Sequence, residues 1–352
     1  MRSRILRPSI DWLLVFLPVA VVAELLHQNV LVFISSALAI VPLAGLIGRS
    51  TEQVAIRLGP AAGGLLNATM GNITELIVAV ALVSVGNFAL VKASLIGSIV
   101  GNLLLVLGIS FVVGGVRHVE QQFSARAAGV HSSSLLLAVA GLVIPAVLIL
   151  STPNVDFVSK EVVSGVVAIV LISLYLAALF FTQVSHAHLF HTPDREEKAT
   201  WSLKWAMVVL IGSAALVGLA SEFLVGSLEP AVATLHVPEI FVGLILIPVI
   251  GNAAEHGAAV VFAAKNRVDI TLEIAVGSST QIAMFVAPIL VFISLAIGHP
   301  MDFVFTVFEV VVVLLATLIV AVISMDGRSN WLEGAQLFGA YLLIAVAAFF
   351  IS

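Results

Sequence analysis

The sequence has no cysteine, and only 10% of its 352 residues are charged. The first absence rules out disulfides, thiolate metal sites and iron–sulfur clusters. The second is the more telling, because a soluble domain carries about 25% charged residues. A soluble enzyme, a nucleic-acid binder and a disordered chain are all excluded. Apolar surface takes the place of charge: 61% of residues are hydrophobic and the mean hydropathy is +1.20. At ~20 residues per crossing of a ~30 Å hydrocarbon core, a chain of this length holds roughly a dozen spans. The composition is that of an integral membrane protein whose first partner is the lipid bilayer. The net charge of −5 is spread over loops and spans and names no partner. The basic start, Met1 to Arg7, leads into an apolar run after Asp11 with no small-residue cleavage site, which predicts a retained first helix rather than a signal peptide.

Apolar runs punctuated by polar loops predict an all-α integral membrane fold of about 11 transmembrane helices. Their limits are 10–26, 31–48, 63–86, 90–113, 127–150, 162–183, 202–220, 239–263, 270–297, 303–323 and 333–351. The runs are long and continuously apolar, which excludes a barrel of alternating ten-residue strands. With the N-terminus placed in the cytoplasm, 13 of the 15 Lys and Arg residues fall on the inner side and only Lys92 and Lys160 on the outer. The positive-inside rule then sets the N-terminus cytoplasmic and the C-terminus external. The longest polar stretch, 184–201, carries Asp194, Arg195, Glu196, Glu197 and Lys198 and reads as a solvated linker, with a cation-sensing patch as the rival. His186, His188 and His191 at its start are either a solvated helix end or a transition-metal site.

Self-similarity organises the rest. Residues 71–75 read GNITE and residues 251–255 read GNAAE. At that offset of 180, Gly71, Asn72, Glu75, Gly97 and Ser98 align without a gap on Gly251, Asn252, Glu255, Gly277 and Ser278. Upstream, at an offset of 170, Thr51-Glu52 faces Ser221-Glu222, and Pro60 faces Pro230. Matches of Gly, Asn, Glu and Pro are costly in so apolar a chain. Each copy spans five helices, an odd number, so the second enters the membrane from the opposite face. The expected organisation is an N-terminal helix (1–29), a first five-helix repeat (30–183), the linker (184–201) and a second, inverted repeat (202–352). Inverted repeats characterise secondary transporters, whose binding site lies near the midplane where the halves meet.

Glu75 and Glu255 fall well inside their spans, with no Lys or Arg at comparable depth. A carboxylate there costs at least ~2.5–3.5 kcal/mol on insertion scales, so each needs a cation or a proton. Asn and Glu three residues apart share a helical face. Gly71 and Gly251 lack a Cβ and allow close backbone approach or a helix break, which frees carbonyl oxygens. Carboxylates, amide oxygens and carbonyls are hard ligands suited to Ca²⁺, Mn²⁺ or Mg²⁺. The competing reading is helix packing with buried, hydrogen-bonded polar residues. Ser98, Asn102, Ser278 and Gln281 on the neighbouring helices either complete an ion's oxygen shell or bond between helices. His256 points some 100° away from Glu255, to gate protons or to bond a neighbouring helix. Glu52 and Glu222 either line an aqueous entry path or sit in the interface, and Glu24 and Glu309 fit interfacial snorkelling.

With LGPAAGGLLNATMGNITELIVA (58–79), SLIGSIVGNLLLVLG (94–108), PVIGNAAEHGAAV (248–260) and GSSTQIA (277–283), nearly the whole chain resembles the cation/proton exchanger (CAX) family of the Ca²⁺/cation antiporter superfamily. The resemblance implies a Ca²⁺/H⁺ antiporter of eleven helices that needs no cofactor beyond its transported Ca²⁺ and H⁺. Glu75 and Glu255 would hold the ion, with Asn72, Asn252, Gly71 and Gly251 around it. His256 falls on the histidine of the family's GNAAEH motif. The short, mixed-charge linker departs from the strongly acidic one of many members, which counts against Ca²⁺ sensing there. A homo-oligomer, a trimer, is expected, and no nucleic acid. Absence of the long N-terminal extension of vacuolar plant members favours a prokaryotic plasma membrane. The alternatives are a Na⁺/Ca²⁺ exchanger or a broader divalent cation (Mn²⁺) antiporter on the same fold. A passive channel is disfavoured because the chain carries its pair of motifs internally. An intramembrane hydrolase fails for want of HExxH or a nucleophile.

Overall fold

The structure is a computed structural model and describes residues 10–152, 157–187 and 199–351. A 3₁₀ turn, Ile10–Val15, leads into α1 (Phe16–Leu25). There follow α2 (Asn29–Leu58), α3 (Pro60–Met70), α4 (Ile73–Ser84), α5 (Phe88–Arg117), α6 (Ala125–Ser151) and α7 (Ser159–Ser185). The remainder holds α8 (Leu203–Leu235), α9 (Glu239–Gly251), α10 (Ala253–Ala264), α11 (Val268–Ala296), α12 (Val307–Ile323) and α13 (Trp331–Phe350). One two-residue ribbon, Gln121–Gln122 paired antiparallel with Arg328–Ser329, ties the loops after α5 and α12.

Eight of these helices are long and apolar enough to cross a membrane, and nine if α9 and α10, bent by 64°, form one span. The expectation of about 11 continuous spans therefore meets breaks in the chain. The stretch 63–86 is divided between α3 and α4 at Gly71-Asn72, and the stretch 239–263 at Asn252. The stretch 10–26 begins with a 3₁₀ turn and leaves only ten residues to α1. The helices expected at 31–48 and 202–220 run on to Leu58 and Leu235, because their later turns are amphipathic rather than uniformly apolar. At 33 residues, α8 is about 50 Å long at 1.5 Å per residue. It therefore exceeds the hydrocarbon thickness and must tilt or project. Pro60 and Pro230, matched in sequence, play different parts. Pro60 opens α3 after Gly59, whose φ of 80° ends α2, whereas Pro230 lies inside an unbroken α8.

Burial separates a core from a lipid-facing rim. The apolar windows of α5, α2 and α11 are 72%, 67% and 61% buried, against 22% for α7 and for α13. The central helices thus have protein around most of their surface, and the rim presents apolar faces to lipid, as a polytopic bundle requires. α2 packs along most of α8, α5 along α9 and α13, and α10 against α5. The α5–α9 approach is tight because glycine lines both sides. A Cβ on Gly97 would overlap the Leu244 carbonyl, and one on Gly243 would come within 2.7 Å of Ala93 Cβ. Small residues are what let membrane helices approach so closely.

Candidate cation site

Two helix breaks meet in the middle of this core. At the first, Asn72 has φ −104° and ψ 23°, between α3 and α4; at the second, Asn252 has φ −100° and ψ 7°, between α9 and α10. These values lie near the sparsely allowed bridge region and interrupt the helical ladder. A break exposes carbonyls at the end of one half-helix and amides at the start of the next. Glu75 and Glu255 sit in the first turns of α4 and α10 that follow.

The two motifs face each other crosswise. A methyl group built on Gly71 would lie 3.8 Å from Glu255 Oε1 and 3.8 Å from Gln281 Oε1, and one on Gly251 would lie 3.9 Å from Glu75 Cγ. Each glycine thus lies beside the other motif's glutamate. Asn252 lies beside the Glu75 carboxylate and Ser278 beside that of Glu255, and the two carboxylates are neighbours. Glu75 Oε2, Glu255 Oε2 and Asn252 Oδ1 are sealed from solvent and have no hydrogen-bond partner among the described residues. Three buried oxygens without donors are costly for a protein to keep. They fit a hard cation, which supplies the missing positive charge without a proton donor.

A polar network holds this arrangement. Asn72, 2% exposed, donates through Nδ2 to Gln281 Oε1 at 2.7 Å and accepts at Oδ1 from Ser278 Oγ at 2.9 Å. Asn102 Nδ2 donates to Ser278 Oγ at 3.2 Å, and His256 Nε2 lies 3.1 Å from Asn102 Oδ1. Since a carbonyl oxygen only accepts, Nε2 is the protonated nitrogen of that ring. Asn252 Nδ2 donates to the Pro248 carbonyl at 3.1 Å and to Ser98 Oγ at 3.4 Å. Asn102 lies in a π-helical turn, Gly101–Val106, of α5. Ser278 and Gln281 lie between two such turns of α11, Glu273–Gly277 and Ile282–Val286. These wide turns rotate the side chains that follow, a geometry common at functional sites.

Of the residues singled out in the sequence, Glu75, Glu255, Asn72, Asn252, Gly71, Gly251, Ser98, Asn102, Ser278, Gln281 and His256 converge here. Glu52 and Glu222 do not. Glu52 lines a separate cavity with Gly59, Gly63, Gly64 and Asn67, and Glu222 is exposed on α8. His186 stacks on Phe181 at 4.0 Å, while His188, His191 and most of the 184–201 linker lie outside the described residues. The end of that linker is tied to α2, where Gln53 Oε1 accepts from the backbone amides of Thr200 at 2.7 Å and Trp201 at 3.0 Å. Glu24 is exposed on α1 as snorkelling requires, but Glu309 corrects that expectation. It is 3% exposed and closes a capping box with Thr306 at the start of α12. The spacing Thr306-x-x-Glu309 was the available signal.

The spaces on the two sides of the site differ in size. A cavity of about 370 Å³ is lined by Glu75 and Glu255 and reaches the exposed Gly48 and Arg49 on α2. Arg49 pairs with Asp11 at its mouth, 2.6 Å apart. Towards Ser94, Leu95 and Leu224 the space beside Glu75 shrinks to about 20 Å³. That is room for about one water molecule. The space beside the site is therefore wide on the side of Arg49 and narrow on the side of Leu224.

Comparison with known proteins agrees with this architecture. Residues 28–184 and 205–350 match the family described as sodium/calcium exchanger protein. A Ca²⁺/H⁺ antiporter of Synechocystis sp. is 44% identical over 359 residues, 96% of each chain. The Ca²⁺/H⁺ antiporter ChaA of Bacillus subtilis is 41% identical, over 94% of this chain and 96% of its own. The solved structure of native YfkE superposes with a TM-score of 0.85 at 38% identity, covering 97% of this chain and 100% of that one. The chain belongs to the sodium/calcium exchanger protein family of membrane transporters.

Proposed function

We propose that this chain exchanges cytoplasmic Ca²⁺ for external H⁺ by alternating access at a midplane site formed by Glu75 and Glu255. The observation that carries the reading is the crosswise pairing of the two GN-x-x-E motifs, with three buried oxygens that lack donors. The Ca²⁺/H⁺ antiporters similar to this chain over nearly its whole length support the choice of ions. Asn72, Asn252 and the backbone at Gly71 and Gly251 complete the oxygen shell. Ser98, Asn102, Ser278, Gln281 and His256 hold those ligands in position.

The fold belongs with this reading as two inverted five-helix repeats, 30–183 and 202–352, joined by the linker 184–201 and preceded by the helix of 1–29. The matched backbone angles at Asn72 and Asn252 support it. The N-terminus is cytoplasmic and the C-terminus external in a prokaryotic plasma membrane, so the 370 Å³ cavity beside Arg49 is the cytoplasmic entry. Ca²⁺ enters there and binds the deprotonated carboxylates, the halves reorient, and external protons displace the ion. The protonated, uncharged pair then returns. An empty, doubly negative site pays a desolvation penalty when it is sealed, and that penalty couples the two fluxes.

Proteoliposomes loaded for a ΔpH test this directly. Ca²⁺ uptake driven by ΔpH is expected of the natural chain, with loss of at least about 100-fold in Glu75→Gln or Glu255→Gln while both variants still fold. Uptake driven only by a Na⁺ gradient would overturn the proton reading in favour of a Na⁺/Ca²⁺ exchanger.

A further inference from the structure

A second cavity, of about 300 Å³, lies against the ion site and shares no lining residue with the entry cavity. α6 contributes His131 and Ser134 to it, α7 contributes Tyr175 and Thr182, and α11 contributes Glu273 and Gln281. Gln281 is the wall common to cavity and site. Its Oε1 accepts from Asn72, and both that atom and Glu255 Oε1 lie 3.8 Å from the same point above Gly71. The cavity sits towards the start of α6, the end of α7 and the start of α11. The linker that follows α7 is bonded back to the end of α2 at Gln53, so this is the end of the bundle at which Arg49 stands.

The lining is polar enough to hold water, which needs two to four polar partners. Among the described residues, the titratable groups that line it are His131 from α6, Tyr175 from α7 and Glu273 from α11, with no Lys or Arg. Arg126, Lys160, Glu161 and Asp269 on the same three helices lie outside the lining. His and Glu are the side chains best able to exchange protons with water near neutral pH. Glu273 has no counterpart in the first repeat, where Ala93 occupies the matching position, so the feature is one-sided.

We infer that His131 and Glu273 line a proton exit separate from the path of the ion. The inference rests on the Ca²⁺/H⁺ exchange reading. As Ca²⁺ arrives through the cavity beside Arg49, the proton held by Glu255 passes to water behind Gln281. It then moves to the Glu273 carboxylate or the His131 imidazole and on to bulk water, and each carrier returns to its starting state. No bond other than O–H or N–H changes. Separate paths spare the departing proton from meeting the incoming divalent charge, whose repulsion at 4 Å is about 2 kcal/mol even in bulk water.

The test separates proton movement from ion movement. Proteoliposomes are assayed for ΔpH-driven ⁴⁵Ca²⁺ uptake and for ⁴⁵Ca²⁺/Ca²⁺ exchange at equal pH, in which no net proton moves. For Glu273→Gln and His131→Gln, uptake driven by ΔpH should fall by at least about 10-fold and change its pH profile, while Ca²⁺/Ca²⁺ exchange stays within about twofold. Glu273→Asp, which keeps the carboxylate, should recover most of the loss. Equal loss of both activities in the two Gln variants would overturn the inference, as would no loss of either. A natural chain without ΔpH-driven uptake would instead overturn the antiport reading beneath it.

Discussion

The side-chain amide of Asn72 donates to Oε1 of Gln281 at 2.7 Å, joining residues 209 positions apart. Its oxygen accepts from Ser278 on the same turn of α11. Both polar ends of one asparagine at the first helix break are therefore held by the helix that follows the second. The half-helices that carry Glu75 and Glu255 are fixed relative to each other by side chains from both parts of the chain.

Asn72→Ala removes this tie and leaves Gln281 Oε1 without its side-chain donor in a partly buried place. Unsatisfied buried groups cost about 1–3 kcal/mol. The variant should melt at a lower temperature than the natural chain in the same detergent. Ca²⁺ should also protect it less against heat, because ligand stabilisation scales with affinity. An unchanged melting temperature with full Ca²⁺ protection would show that the tie does not organise the site.

Ca²⁺ binding should compete with protons. Both carboxylates must be ionised to hold the ion, and neither has a Lys or Arg partner among the described residues, so binding releases the protons they carry. Below the pH at which both are ionised, apparent affinity should fall by up to about 100-fold per pH unit when two protons compete, and about 10-fold when one does. Calorimetry in buffers of different ionisation enthalpy counts the protons released. Binding independent of pH between 5 and 8 would contradict the two-carboxylate site.

Close packing of α5 on α9 makes Gly97 sensitive to size. The side chain of Gly97→Val would fall on the Leu244 carbonyl and Pro248, and the Pro248 carbonyl accepts from Asn252. Overpacking costs about 1–3 kcal/mol. Here it also displaces a site residue, so transport should fall further than stability does. Gly218→Ala on α8, with nothing within 4 Å of the added methyl, is the control and should be neutral in both assays.

The capping box at Thr306 predicts a purely structural effect. Thr306 Oγ1 accepts from the Glu309 amide at 3.2 Å, and Glu309 Oε2 accepts from the Thr306 amide at 2.7 Å. Thr306→Ala should destabilise the protein by about 1 kcal/mol. Ca²⁺ affinity should not change, since Glu309 lines a different cavity, with Lys92 and Glu239.

The polar motifs were legible in the sequence because polar residues are scarce in it. Repetition of GN-x-x-E picked out Asn72, Glu75, Asn252 and Glu255 without any knowledge of contacts. The sequence offered no way to see that Gly71 faces Glu255 rather than Glu75, since that follows from how two broken helices cross. Nor did hydropathy locate the breaks: Gly71-Asn72 and Asn252 sit inside runs whose average stays apolar. Pro60 and Pro230 show the limit of matching by offset, because one proline opens a helix and the other is absorbed within one. The depth of Glu309 alone points to the interface, whereas its partner three residues earlier explains its burial. The cavity of His131 and Glu273 carries no sequence signal, for its walls come from three helices far apart in the chain.

The most direct measurement is ⁴⁵Ca²⁺ uptake into proteoliposomes under an imposed ΔpH, made in parallel on the natural chain, Glu75→Gln and Glu255→Gln, with folding checked by size-exclusion elution. Exchange through the paired glutamates predicts uptake by the natural chain under ΔpH without Na⁺ and none above background in either variant. Wild-type uptake in either folded variant would contradict it.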